Sequence, residues 1–402
     1  MAPRVDWLPR ERLEDWVKCD ASAFHYLLEP GDLAMLEKFM PVDRCQAAFD
    51  GDEIVSTACV FPFEMTVPGG ALPMAGVSWV SVKATHRRQG VASEMMRFQL
   101  NDIRERGEPL ASLFASESII YGRFGYGLSS QAVEWTIDRR NSGLEPGPAP
   151  SGRFRMVTED DARRDWPAFF DSVRLAVPGF YSRSDVWWQH QRFYNDEKSK
   201  ARFWVQYEVH GSIAGYLYYR VDKKDEHHMP ASDLQVIELM AVDDEAYVAL
   251  WRYVFGVDLI KTITAGDRPP DEPLLHMLAD PRRLVRTPGD ALWVRMVDTE
   301  AALAGRRYRR EGSLVIDVTD RFLEWGNGRF LLEGGPDGAT CTPTTREPDL
   351  HMGIRDLGAA YMGETRFTNL ARAGRIEGDR ASLLRADEMF DWDPKPWVPE
   401  GF

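Results

Sequence analysis

The sequence predicts an α/β protein with mixed α+β sheets: two halves of similar plan, then a unit whose elements follow a different order. Three observations carry this expectation. Strand-like and helix-like stretches alternate as far as residue 284. A strand that runs straight into a helix start occurs twice, over 78–90 and again over 234–247. Past Leu284 short strands dominate, and two helices follow them. With 402 residues there is room for two or three domains.

Taken in order, residues 1–20 are loosely amphipathic, and Trp7, Leu8, Leu13, Trp16 and Val17 fit one helical stripe. Residues 32–40 read as a second short helix, closed by Pro41. Strands are expected at 47–49 and 54–63, joined by Gly51-Asp52, and at 76–82. The helix after Gly90 reaches Arg106 and stops at Gly107. Residues 110–115 make a buried strand. Residues 142–152, Ser-Gly-Leu-Glu-Pro-Gly-Pro-Ala-Pro-Ser-Gly, have linker composition and set a boundary at 150. The second half has a helix over 159–173, strands over 203–209 and 212–221, and a hydrophilic loop with His227 and His228. A strand at 234–242 then feeds a helix at 247–255. The last unit has strands at 292–296, 312–318, 328–333 and 340–342, a short helix at 298–305, and helices at 353–361 and 379–388. Domains are therefore expected at 1–150, 151–285 and 286–402. The closing stretch, 391–402, holds three prolines and two tryptophans, and such a tail is expected to dock rather than fray.

Apolar residues make up 44% and charged residues 28%, an ordinary globular balance. The net charge of −14 excludes a generally basic nucleic-acid footprint and favours cationic ligands such as amines. Cys19, Cys45, Cys59 and Cys341 show no paired spacing and read as small buried residues of a cytoplasmic protein. The histidines show no HxxxH spacing, so no metal site is expected. The charged N-terminal stretch predicts no signal peptide, and no run approaches the ~20 apolar residues of a membrane helix.

Two motifs carry chemistry. Residues 80–92 read Val-Ser-Val-Lys-Ala-Thr-His-Arg-Arg-Gln-Gly-Val-Ala. Helix-start N–H groups and the helix dipole suit an anion there. Gly90 permits close approach to the backbone, and Arg87 and Arg88 can add charge-assisted hydrogen bonds. At the second strand-helix junction the matching residues are Asp243, Asp244 and Glu245. They suit the dipole as caps but would repel a pyrophosphate, so the second half is expected to lack the cofactor. The other motif, residues 115–127, reads Ala-Ser-Glu-Ser-Ile-Ile-Tyr-Gly-Arg-Phe-Gly-Tyr-Gly and frames Tyr126 between glycines.

The spacing Arg87-x-x-Gly90-x-Ala92 resembles the acyl-CoA pyrophosphate loop of the GCN5-related N-acetyltransferases (GNAT). Together with 115–127, the two-copy plan and the chain length, it is similar to one family over essentially the whole chain: the Eis-type (enhanced intracellular survival) GNAT acetyltransferases. The similarity reaches the last unit through Cys341-Thr-Pro-Thr and the terminal Gly401-Phe402. It implies tandem GNAT domains, the first binding acetyl-CoA and the second without a cofactor loop, followed by a domain with the sterol-carrier-protein fold. It implies acetyl-CoA as co-substrate, no metal, and a homo-hexamer. By position, Val80, Ser81 and Val82 would lie along the pantetheine and the acetyl carbonyl. Arg87, Arg88, Gln89, Gly90, Val91 and Ala92 would hold the pyrophosphate, and Ser116 and Tyr121 would line the pantetheine arm. Tyr126 would be the general acid toward the leaving thiolate. The carboxylate of Phe402 would be the general base.

The chain departs from the family where amines are expected to bind. Tyr26 stands where an acid is expected, Leu36 where an aromatic is expected, and Gly401 follows Glu400 at the end. Tyr26, Leu36, Glu400 and Gly401 are therefore the candidate substrate-binding residues, with Glu64 as a further carboxylate. Acetylation of aminoglycosides or related polycations is the expected activity. The alternatives are acetylation of protein or peptide lysines, and a non-catalytic ligand-binding protein.

Overall fold

Three sheets organise the computed structural model, which describes residues 3–194 and 199–402. The first has seven strands in the order Arg4–Trp7, Cys45–Asp50, Glu53–Val67, Gly70–Val82, Leu110–Phe114, Leu292–Met296 and Gly127–Leu128. The second, also of seven, runs Val285–Asp290, Gln131–Asp138, Ile260–Arg268, Ser232–Ala241, Ser212–Asp222, Ala201–Val209 and Arg153–Val157. A five-stranded sheet forms the last unit, with the helices Ile354–Ala360 and Arg380–Phe390 after its main strands.

The sheets divide the chain differently from the expected boundaries at 150 and 285. Gln131–Asp138 leaves the first half to pair with Ile260–Arg268 in the second sheet. Leu292–Met296 returns to fill the gap in the first sheet, antiparallel to Leu110–Phe114 and to Gly127–Leu128. Leu292–Met296 is buried along its whole length, so it needs a partner on each edge. The two crossing segments are bonded where they pass: Ser129 and Ser130 donate backbone N–H to the Leu292 carbonyl (2.9 and 3.2 Å). The linker composition at 142–152 marks a real surface segment, but the crossover lies earlier, at Ser129-Ser130.

The N-terminus differs too. Arg4–Trp7 is an edge strand paired with Cys45–Asp50, and the helix begins only at Leu13. Pro9 separates the two, so Leu13, Trp16 and Val17 share a buried helical stripe without Trp7 and Leu8. The four cysteines are free and buried. Among the described residues no helix is long and apolar enough to cross a membrane, and no three metal-ligating side chains cluster.

The element that positions the site is the pair Gly70–Val82 and Leu110–Phe114, linked by the helix Val91–Glu105. These strands run parallel but pair only over Met74–Gly76 and Leu110–Ser112. Beyond that they part, and the opening between them becomes a cleft. On its other side Gly70–Val82 is interrupted by a β-bulge: Thr57 pairs with Ser81 and Cys59 with Ser78, so Trp79 and Val80 oppose the single Ala58. Trp79 has φ +55°, a conformation rare for a non-glycine residue. A bulge leaves its extra residue outside the ladder.

Candidate active site

A cavity of about 500 Å³ occupies the cleft. One wall is the bulged strand, Val77 to Val80; Phe114, Ser116 and Tyr121 form the opposite wall. The helices Leu13–Phe24 and Asp32–Phe39 and the loop between them contribute Asp20, Tyr26, Asp32 and Leu36. His190 and Tyr194 reach in from the second half, and Phe402, the chain end, completes the lining. The structure thus brings together Val80, Ser116, Tyr121, Tyr26, Leu36 and Phe402 from among the expected residues.

Asp20 is a site residue that sequence reasoning missed. The acid was sought at position 26, but Tyr26 donates its hydroxyl to Asp20 (3.1 Å), and Thr57 donates to the other oxygen (3.2 Å). Thr57 also bonds the Trp79 carbonyl (2.7 Å) and the Ser81 hydroxyl (2.6 Å). Asp20 therefore ties the first helix to the bulge. Burial pushes its carboxyl above the ordinary aspartate value, and hydrogen bonds from Tyr26, Thr57 and Ser81 pull it back in part. Ser81 is thereby a support of the bulge and does not line the cavity.

The segment 87–92 leads into a helix start. Gly90 (φ +85°) caps the helix Val91–Glu105, and no side chain bonds the first turn. A Cβ at position 90 would point into open space. Arg87 and Arg88 are exposed and make no ion pair among the described residues; Arg87 donates to the Val82 carbonyl (3.3 Å). Gln89 is exposed and bonds the Thr85 carbonyl (3.0 Å), while Val91 is buried and Ala92 half-buried beneath the turn. The corresponding helix of the second half, Asp244–Gly256, has its first turn filled by its own carboxylates. Asp243 accepts from Ala246 N–H (2.9 Å), and Glu245 accepts from Ser151 and Tyr207.

Tyr126 is fully buried beside Tyr121, their ring centroids 6.3 Å apart, and it lies behind the cavity wall rather than in it. Its hydroxyl is closed off from solvent and has no hydrogen-bond partner among the described residues. Burial raises its pKa well above the usual tyrosine value, with Arg295 offsetting part of the rise. An orphaned buried hydroxyl is costly in stability unless something completes it.

Glu400 is not in the amine cavity, a correction to its expected role. It is buried, accepts from Arg183 Nε (2.5 Å) and Trp187 Nε1 (3.2 Å), and forms an ion pair with Arg192 Nη2 (2.6 Å). Both arginines also hold Glu238, which accepts from Tyr216 as well. A carboxylate so engaged stays with its cations, because removing it would strand two buried guanidiniums. Gly401 is exposed and does not line the cavity; its carbonyl accepts weakly from Tyr181 (3.4 Å). Glu64 pairs with Arg174 at the surface (2.8 Å). The tail as a whole docks on the second half. Trp397 donates its backbone N–H to Pro178 (2.8 Å) and packs on Phe180 (5.0 Å). Gly179 (φ +100°) is needed there, since a Cβ would stand 2.6 Å from the Trp397 carbonyl oxygen. The Phe402 ring is thereby held against Phe63, Phe114 and Tyr181 (5.3, 5.1 and 5.5 Å).

Comparison with known proteins agrees with this layout. Residues 4–129 and 179–297 each match a model of an acetyltransferase (GNAT) domain, and residues 299–399 match a sterol carrier protein domain. The chain is 39% identical over 366 residues to an uncharacterized N-acetyltransferase of Streptomyces avermitilis, covering 90% of each. It is 35% identical over 382 residues to N-acetyltransferase Eis of Mycobacterium tuberculosis, covering 91% of this chain and 90% of the other. The crystal structure of Eis1 from Mycobacterium abscessus superposes with a TM-score of 0.88 at 30% identity, over 99% of this chain and all of that one. A GCN5-related N-acetyltransferase from Anabaena variabilis shares the fold (TM-score 0.88) at 16% identity.

Proposed function

This chain belongs to the Eis-type GNAT acetyltransferases, and from that premise we propose that it acetylates amines of aminoglycosides or related polycations bound in the cleft, as a homo-hexamer. That it is an acetyltransferase using acetyl-CoA follows from the family. The observation that supports the acceptor class is the cavity itself. Its volume of about 500 Å³ suits a small molecule, and it joins Asp20, Asp32 and the chain end to aromatic walls.

Acetyl-CoA supplies the activated acyl group. In this reading Arg87, Arg88 and the uncapped helix start at Gly90 bind its pyrophosphate. Backbone N–H groups at the bulge, at Trp79 and Val80, polarise the acyl carbonyl. Tyr126 gives its phenolic proton to the departing sulfur. A phenol (~10) is a weaker acid than a thiol (~8.5), so Tyr126 acts only where the thiolate is poorly solvated. Burial raises the Tyr126 pKa and so weakens it further as an acid, and the transfer therefore depends on the thiolate being desolvated beside the same buried hydroxyl. The Phe402 carboxylate takes up the amine proton. At an ordinary value of ~3.3 it is a feeble base toward a free ammonium. Its part is thus to attract the cation, with Asp20 and Asp32, and to receive the proton as the amine attacks.

Three outcomes test this reading. A thiol-release assay with kanamycin as acceptor is expected to show turnover; no turnover on any amine, with acetyl-CoA bound, overturns it, and preference for a lysine peptide favours the protein-modifying alternative. Tyr126→Phe is expected to lower kcat by roughly 10²–10⁴-fold, the usual worth of a general acid. Its melting temperature should hold or rise, because the lost hydroxyl makes no hydrogen bond. Because Tyr126 is shifted upward, it stays protonated across neutral pH, and the alkaline fall in kcat is expected only above the ordinary tyrosine value near ~10. Gly90→Val places a side chain where the anion approaches and strains a φ of +85° by about 1–2 kcal/mol. Calorimetry should show acetyl-CoA binding weakened with kanamycin binding intact.

A further inference from the structure

Between Trp188 and Arg192 the backbone forms a single π-turn, a device that inserts an extra residue into a helix and is frequent at functional sites. The turn buries Trp188 and Arg192, the latter in the Glu238–Glu400 network, and turns His190 into the cavity. The imidazole lies against Phe39, ring centroids 4.8 Å apart. Its Nδ1 is shut off from solvent and has no hydrogen-bond partner among the described residues.

The charges around the ring decide what it can accept. Burial, and then Lys38 on the neighbouring helix, hold the imidazole below the ordinary histidine value. It is therefore neutral at pH 7, with one N–H and one lone pair. Asp20, Tyr26 and Asp32 line the same cavity from the first half. On the outer side His190 and Tyr194 border a second depression whose cations are Lys38 and Arg163. An ammonium would be held near the carboxylates and repelled from Lys38. An uncharged O–H donor would meet no such repulsion, and it can reach Nε2, the ring nitrogen that is not closed off.

We propose that His190 is a specificity residue that accepts a hydrogen bond from a hydroxyl of the acceptor, selecting amino sugars over linear polyamines. The inference rests on the amine-acetylating reading and narrows it to hydroxyl-bearing amines. It also gives the second GNAT-like half a part in the site: recognition rather than cofactor binding.

The test is binding of kanamycin and of spermidine to the full chain by calorimetry, for the native protein, His190→Leu and His190→Gln. Loss of one hydrogen bond to an uncharged group predicts about 10-fold weaker kanamycin binding by His190→Leu. His190→Gln, which keeps an acceptor, should restore much of it, and spermidine should bind all three proteins equally. Equal kanamycin binding by the native protein and His190→Leu overturns the proposal, as does an equal loss for spermidine, which signals a merely structural change. Because binding is read without turnover, kanamycin that binds through His190 and is never acetylated would defeat the catalytic reading alone.

Discussion

Adding one or two residues after Phe402 is expected to remove most turnover while leaving acetyl-CoA affinity unchanged. The extension removes the α-carboxylate from residue 402 and puts a neutral peptide group in its place. If that carboxylate receives the amine proton, the loss is of the size of a general base, roughly 10²–10⁴-fold in kcat. The cofactor loop at Arg87–Gly90 belongs to another element and should bind as before. Phe402→Ala separates the two roles of the residue, since it keeps the carboxylate and loses the ring that packs on Phe63, Phe114 and Tyr181. It should cost less in kcat than the extension. Full activity in the extended chain would show that the terminal carboxylate takes no part in proton transfer.

Glu400→Ala is expected to be the most damaging single change outside the cleft. It leaves Arg183, whose side chain is wholly buried, bonded only to Glu238; it frees the Trp187 indole from the tail and leaves Arg192 there only its bond to the Pro399 carbonyl. Breaking a buried ion pair by removing one partner costs about 3–5 kcal/mol. Glu238 still shares both cations, which places the expected loss toward the lower end. Because Glu400 is two residues from the chain end, released tail and lost stability should appear together: a lower melting temperature, faster proteolysis within 391–402, and reduced kcat with acetyl-CoA binding retained. A variant that melts normally and turns over normally would mean that Phe402 is held by its aromatic contacts alone.

What could be read from the sequence follows the range of the interactions. The loop at 87–92 and the capping acids at 243–245 are short in sequence, and a helix start exposes its donors wherever it is placed, so both were legible. The alternation of strands and helices was legible for the same reason. The strand Gln131–Asp138 was not, because nothing in its residues says which sheet it will join; only the demand of Leu292–Met296 for two neighbours decides that. Glu400 was misread because a carboxylate near the chain end looks available until Arg183 and Arg192, more than 200 residues earlier in the chain, close on it.

The sequence by itself determined that a helix start at Gly90 is flanked by Arg87 and Arg88 and that its counterpart at Asp243 is acidic, and the family resemblance supplied Tyr126 and Phe402 as the proposed catalytic pair. Only the tertiary structure decided which residues line the cavity. Asp20 joins Tyr26 in that lining, and His190 enters from the other half, because strands that part after Gly76 open a cleft that three distant segments must line. Donors and charges within one turn are set by neighbours in the chain, whereas a cavity is set by what packing leaves unfilled.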